Sequence, residues 1–149
     1  MIGASKRAEA QGIDVEEIAF RSAAEEYYTG NFLEGSPHEE WTLLERDRLR
    51  MIYLDSANRL GDLLFARDDY QGALEVTRRA LTRDPCDEPA HRRAMRCYAA
   101  LGQRTSVVRQ YQTCAEAMSR AFELDPDRET TAVYETLTDG DRGRLANRS

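Results

Sequence analysis

Residues 57–85 read ANRLGDLLFARDDYQGALEVTRRALTRDP, and the spacing inside this stretch decides the fold. Ala57, Leu60 and Leu64 recur at intervals of three and four, and Ala73, Leu74, Thr77, Ala80 and Leu81 do the same, which is the period of two amphipathic helices. Asp68-Asp69 ends the first helix and caps the second, because a short carboxylate accepts the free N–H groups of a first turn. Asp84-Pro85 stops the second, since a proline disfavours helical geometry in the residue before it. Two helices joined by so short a turn fold back on each other as an antiparallel hairpin.

The same signals extend in both directions. Upstream, no proline falls between His38 and Ala66, and Trp41, Leu44, Leu49, Ile52 and Tyr53 lengthen the stripe of the first hairpin helix back to about residue 38. Before it, Gly35 and Pro37 mark a connector over 31–37, and Asp14 caps a helix carried by Val15, Ile18, Ala19, Ser22, Ala23 and Tyr27 that ends near Thr29-Gly30. Downstream, Asp87 with Pro89 in the first turn opens a helix on Ala94, Cys97, Tyr98 and Leu101, closed at Gly102. Another runs from about Thr105 to Phe122 on Val107, Val108, Tyr111, Ala115, Met118 and Phe122. After Pro126 a short helix is expected from Glu129 to Leu137. The chain therefore reads as a loose arm over 1–13, a helical domain over 14–138 and a frayed tail over 139–149.

Helix pairs with short turns invite a search for a repeat, and a shift of about 34 residues aligns two copies, the tetratricopeptide period. Ala57, Leu60, Gly61, Leu64, Ala73, Thr77, Ala80 and Pro85 then stand opposite His91, Ala94, Met95, Tyr98, Val107, Tyr111, Cys114 and Ser119. The second copy is degenerate, with Met95 where a small residue is usual and Ser119 where the proline belongs. The fold expected is all-α, antiparallel helix hairpins in a right-handed tetratricopeptide-like superhelix of about six helices.

Composition removes whole classes of function. A formal net charge of -6 sets the domain against a phosphate backbone, so direct nucleic-acid contact is not expected. No stretch approaches the roughly 20 apolar residues that cross a bilayer. The start, MIGASKRAEAQG, lacks the apolar core of a signal peptide, so the cytoplasm is the expected compartment. Cys86, Cys97 and Cys114 are odd in number and show no CxxC spacing, which argues against a disulfide framework or a zinc site; Cys97 and Cys114 read as small buried hydrophobes. His38 and His91 have no second ligand at metal spacing. Phosphate-binding glycine loops and nucleophile motifs are missing too, so no catalytic, cofactor or metal residues are named and the chain is read as a non-enzyme.

Segments of the chain, in order, resemble the bacterial transcriptional activator domain, the tetratricopeptide-like module of SARP-type transcription regulators. YYTGNFLEG is similar to that family's Tyr-x-Gly-(Asp/Asn)-Phe-Leu turn, EEWTLLERDRLR to its Trp-then-Glu-Arg-x-Arg-Leu helix, and residues 61–111 to its two central hairpins. Phe122-Glu123-Leu124-Asp125-Pro126 departs from the usual Leu-Gly-Val-x-Pro stretch. The resemblance implies a module for protein–protein interaction and assembly. Its partners would be a copy of itself in a homodimer, other regulator domains or the transcription machinery. In such regulators the module follows a winged-helix DNA-binding domain, which residues 1–30 do not spell, so the sequence reads as a piece of a longer regulator. The competing readings are a stand-alone tetratricopeptide-type peptide-binding adaptor and a helical accessory domain of a larger signalling ATPase.

Partner-binding candidates come from the first helix of each hairpin, which lines the groove of such folds. Asn58 and Asp62 lie in one repeat, Arg92 and Arg96 in the next, the two arginines one turn apart on a shared face. Planar guanidinium forks suit an acidic group on a partner, with Asn58 as an extra donor. In the plainer alternative, Asp62 pairs with one of those arginines across the repeat interface. Trp41, concentrated with Tyr27, Tyr28 and Phe32, reads either as a hot spot for a partner or as the cap of the repeat stack.

Overall fold

The structure, a computed structural model, describes residues 15–24 and 43–146. Six helical segments and no strand occur among them: α1 (15–24), α2 (Leu43–Ala66), α3 (Tyr70–Arg83), α4 (Glu88–Ala100), α5 (Arg104–Phe122) and α6 (Arg128–Ala146). The arm over 1–13, the Asp14 cap, the connector over 31–37, and Tyr27, Tyr28, Phe32, His38 and Trp41 lie outside the described residues.

The expected caps form. Asp69 Oδ1 accepts the Gly72 N–H at 3.0 Å at the start of α3, and Asp87 Oδ1 accepts the Ala90 N–H at 3.2 Å at the start of α4, with Pro89 in the first turn. Each satisfies a donor that the helix itself leaves unpaired. The two hairpins turn alike: Asp68, at φ 63, and Gly102, at φ 74, are both left-handed and stand about 34 residues apart, so the sequence period recurs in the backbone. α5 differs from α3 at its far end. Where Pro85 closes α3, the aligned Ser119 lets α5 continue to Phe122, and Glu123, left-handed at φ 55, ends it. α6 is longer than the 129–137 expected and runs to Ala146, into the segment that reads as a tail; no proline interrupts it, and a helical glycine costs only about 1 kcal/mol.

Packing follows hairpin order. α2 lies against α3 and α4 against α5, while α4 also touches α2 and α6, so the first helices of successive units, α2, α4 and α6, stand side by side. One core joins Tyr53, Leu54, Ala57, Leu60, Val76 and Ala80, with Ile18 of α1 against it; a second joins Ala73, Leu74, Ala94 and Cys97, and Leu64 packs against both. Burying a side chain such as Leu60 or Leu74 stabilises by roughly 1.5–3 kcal/mol. α1 is also tied down electrostatically: Glu17 Oε1 accepts from Arg21 Nε at 2.9 Å and from Arg59 Nε at 3.1 Å, and the two guanidinium groups hold its carboxyl below the usual range.

Candidate functional site

Helical geometry decides what α4 presents. At about 100° per residue, three neighbouring arginines point three ways: Arg92 and Arg93 diverge by about 100°, and Arg96 falls between them. Arg92 turns toward α6, where Nη1 donates to Thr130 Oγ1 at 2.9 Å and Nη2 stands 3.7 Å from Glu129 Oε2. Arg93 turns toward α2 and α3. Arg96 is left facing outward between α2 and α6, exposed, on the same face as Pro89 and Ala100, and has no ion-pair partner among the described residues.

Arg93 is the residue that sequence reasoning missed. Only 3% exposed, it donates from Nε to Thr77 Oγ1 at 2.7 Å, from Nη2 to Asn58 Oδ1 at 2.9 Å, and from Nη1 to the Asn58 carbonyl and to Asp62 Oδ1, each at 3.3 Å. The chain of bonds continues. Thr77 Oγ1 donates to the Ala73 carbonyl at 2.6 Å, and Asn58 Nδ2 donates to Asp87 Oδ2 at 2.8 Å, so the cap of α4 is bound into α2. A buried guanidinium is tolerated only when its donors are matched in this way. The signal was present in the sequence: Ala90, Ala94 and Cys97 lie three before, one after and four after Arg93, which puts it on the buried face.

Two expectations are corrected here. Asn58 and Asp62 do not face Arg92 and Arg96 across a groove; both bond to Arg93, and the Asn58 amide is engaged at each end. Asp62 also pairs with neither of the two arginines proposed for it, because the helical turn carries those toward α6 and solvent. Of the five candidates, Arg96 remains an outward group, Asp62 pairs with Arg93 through a side chain 66% exposed, Arg92 is a strut to α6, Asn58 bonds to Arg93 and Asp87, and Trp41 lies outside the described residues.

The α4–α6 junction is similarly fastened. Buried Glu88 accepts the Asp127 N–H at 2.8 Å just before α6, and Thr130 is fully buried. Tyr111 and Tyr134 stack with centroids 4.2 Å apart, and the Tyr111 and Thr131 hydroxyls share a bond at 3.0 Å. His91, also buried, has both ring nitrogens engaged: Nε2 donates to the Pro85 carbonyl at 2.7 Å, which leaves Nδ1 to accept from Gln110 Nε2 at 2.7 Å. Burial pushes its pKa down. Burial likewise pushes the Cys97 thiol up to about 11 and the Cys114 thiol to about 12. Among the described residues no cluster of His, Cys, Asp and Glu could hold a metal ion, and no helix is long and apolar enough to cross a membrane.

The fold and its outward α4 face define a helical-repeat domain, two hairpins closed by a further helix. The family model for the bacterial transcriptional activator domain matches residues 2–138, and the chain belongs to that family. It is thus a domain of the kind typical of transcriptional activators. No curated protein and no solved structure is matched by the chain.

Proposed function

We propose that this chain is the protein–protein interaction and assembly module of a bacterial transcription regulator, that it performs no catalysis, and that it acts with a DNA-binding domain outside this sequence. The observation that supports this best is the outward face of α4. Arg96 stands there exposed, while the carboxylates of Asp62 on α2 and Glu129 on α6 are already drawn toward Arg93 and Arg92. An acidic side chain of a partner segment entering between α2 and α6 meets a guanidinium that has no ion-pair partner among the described residues. The mechanism is positional. Because Arg93 and Glu88 fasten the three groove helices together, a partner seated on them is held at a fixed angle to whatever domain the chain carries.

The test is a photo-crosslinking residue at Ala100, on the proposed face, and at Glu75, on the exposed side of α3, in cells that produce the regulator. Capture of a protein at position 100 but not at 75, lost when Arg96→Glu is added, is the expected result. Equal capture at both positions, or capture indifferent to Arg96→Glu, overturns the assignment. Arg96 is reversed alone because Arg92→Glu would also release α6.

A further inference from the structure

The first helices of successive units stand side by side, but the second helices do not: α3 and α5 make no packing contact. The space beside α5 is a mainly apolar groove of about 560 Å³. Its origin lies in the sequence. Pro85 stops α3 at Arg83 while α5 runs on to Phe122, and the α3–α4 turn meets α5 where the Cys86 thiol donates to the Ala117 carbonyl at 3.4 Å. At about 100° per residue, Ala121, Ala117, Thr113, Arg120 and Glu116 follow one another around α5. The floor is therefore two alanines and the far wall is polar, while Asp84, Pro85 and Cys86 form the near wall.

Size and charge together name what fits. Small-molecule sites are clefts of roughly 300–1,000 Å³, apolar with a few convergent polar groups, and this groove is of that kind. Ala117 and Ala121 leave room for an apolar body. Glu116 and Arg120 lie one turn apart on the far wall, both exposed, and neither has an ion-pair partner among the described residues. On the near wall, Asp84 Oδ1 accepts the Cys86 N–H at 3.0 Å, which fixes a second carboxylate at the groove. A simple anion would gain Arg120 and lose against Glu116 and Asp84, and a bare cation would lose against Arg120. A molecule with both charges at one end gains from each. Side chains at i and i+4 have Cβ atoms about 5–6 Å apart, a gap that an α-amino acid bridges because its ammonium and carboxylate sit on one carbon.

We propose that the groove between α5 and the α3–α4 turn is a binding site for a zwitterionic small molecule of the apolar α-amino acid class. Its carboxylate meets the planar fork of Arg120, its ammonium meets Glu116, and its side chain lies over Ala117 and Ala121. The site is separate from the α4 face and does not depend on what docks there. Its occupant joins the turn between the two hairpins to the second of them, and so stabilises the folded domain by mass action.

Titration of the isotope-labelled chain with L-phenylalanine, followed by its amide resonances, tests the site. Saturable shifts are expected at Cys86, Thr113, Ala117 and Ala121, and none at Ala100 on α4. Phenylpropionate, which lacks the ammonium, and phenethylamine, which lacks the carboxylate, should each bind about fivefold more weakly, the contribution of one exposed ion pair. Arg120→Gln should remove the advantage of phenylalanine over phenethylamine and keep its advantage over phenylpropionate; Glu116→Gln should do the opposite. Ala121→Trp, at an exposed position, fills the groove and touches neither charge, so it should abolish the shifts with helicity by circular dichroism unchanged. Should it lower helicity, the two charge variants decide alone. No saturable shift at the groove amides, equal affinity for the three probes, or full binding by a folded Ala121→Trp variant would each overturn the site.

Discussion

The guanidinium of Arg93 lies against α2 at Gly61, so close that a Cβ at that position would clash with its Nε, Cζ and Nη2. The repeat pattern favours a small residue at this point for helix approach, and here the approaching group is a charge. Gly61 is helical, where alanine is ordinarily better by roughly 1 kcal/mol. Gly61→Ala should nonetheless destabilise the domain, by about 1–3 kcal/mol, because the displaced guanidinium leaves Thr77 and Asn58 while still buried. Chemical denaturation of the variant checks the sign; a gain in stability would show that Arg93 can move aside freely.

Removing the ion and removing its carboxylate should differ sharply. Arg93→Met strips the matched partner from Asn58 Oδ1 and breaks the link from α4 to both earlier helices, an expected loss of about 2–4 kcal/mol. Asp62→Ala deletes a carboxylate that is 66% exposed, and an exposed pair contributes roughly 0–1 kcal/mol. Equal losses from the two substitutions would mean that the pair, rather than the hydrogen-bonded network, holds the helices.

Stability should also depend on pH through His91. Its two ring nitrogens are satisfied in the neutral form only, since Nδ1 accepts from Gln110, and burial lowers its pKa below the ordinary value of about 6.5. Asp84, Asp87 and Glu88 near it pull in the opposite direction, but burial outweighs them. The unfolded chain therefore binds a proton at this residue before the folded one does. Stability is at its full value above about pH 6.5 and declines as the pH falls toward the folded pKa. Urea midpoints between pH 8 and pH 5 should show this decline in the wild type and a flatter profile in His91→Gln. Loss of the Glu17 contacts comes only at lower, carboxylate pH, so the two windows separate.

The three thiols should react unequally. Cys97 and Cys114 are fully buried and held as thiols, whereas Cys86 is half-buried at the groove with a pKa raised by burial and by Asp84. A thiol reagent at neutral pH should modify Cys86 alone and slowly, because the thiolate is the reactive form, and all three in denaturant. Rapid modification of more than one thiol in the native protein would contradict the packing described for α4 and α5.

The hairpins were legible because their punctuation is chemical: Asp69 and Asp87 cap, Pro85 stops, and Gly102 turns, each by a local mechanism that needs no tertiary context. The end of α6 lacks such a mark: the segment from 139, which reads as a frayed tail, carries two glycines, and the helix runs through them to Ala146. The site was less legible for a different reason. Polarity placed Arg92 and Arg96 outside and ignored Arg93, since an arginine between buried alanines is assumed to be solvated until partners are found for it. Those partners, Thr77 on one helix and Asn58 on another, come together only when three helices are assembled.

That assembly limits how far the chain can be treated as a string of interchangeable units. Repeat arrays are commonly modular, each unit contributing its own stability plus a term for its neighbour. Arg93 removes that independence here: an isolated α4–α5 hairpin would keep the ion and lose its acceptors, and an isolated α2–α3 hairpin would keep the acceptors and lose the ion. Neither half is a transplantable part, and the domain is expected to melt as one cooperative block instead of unravelling from an end.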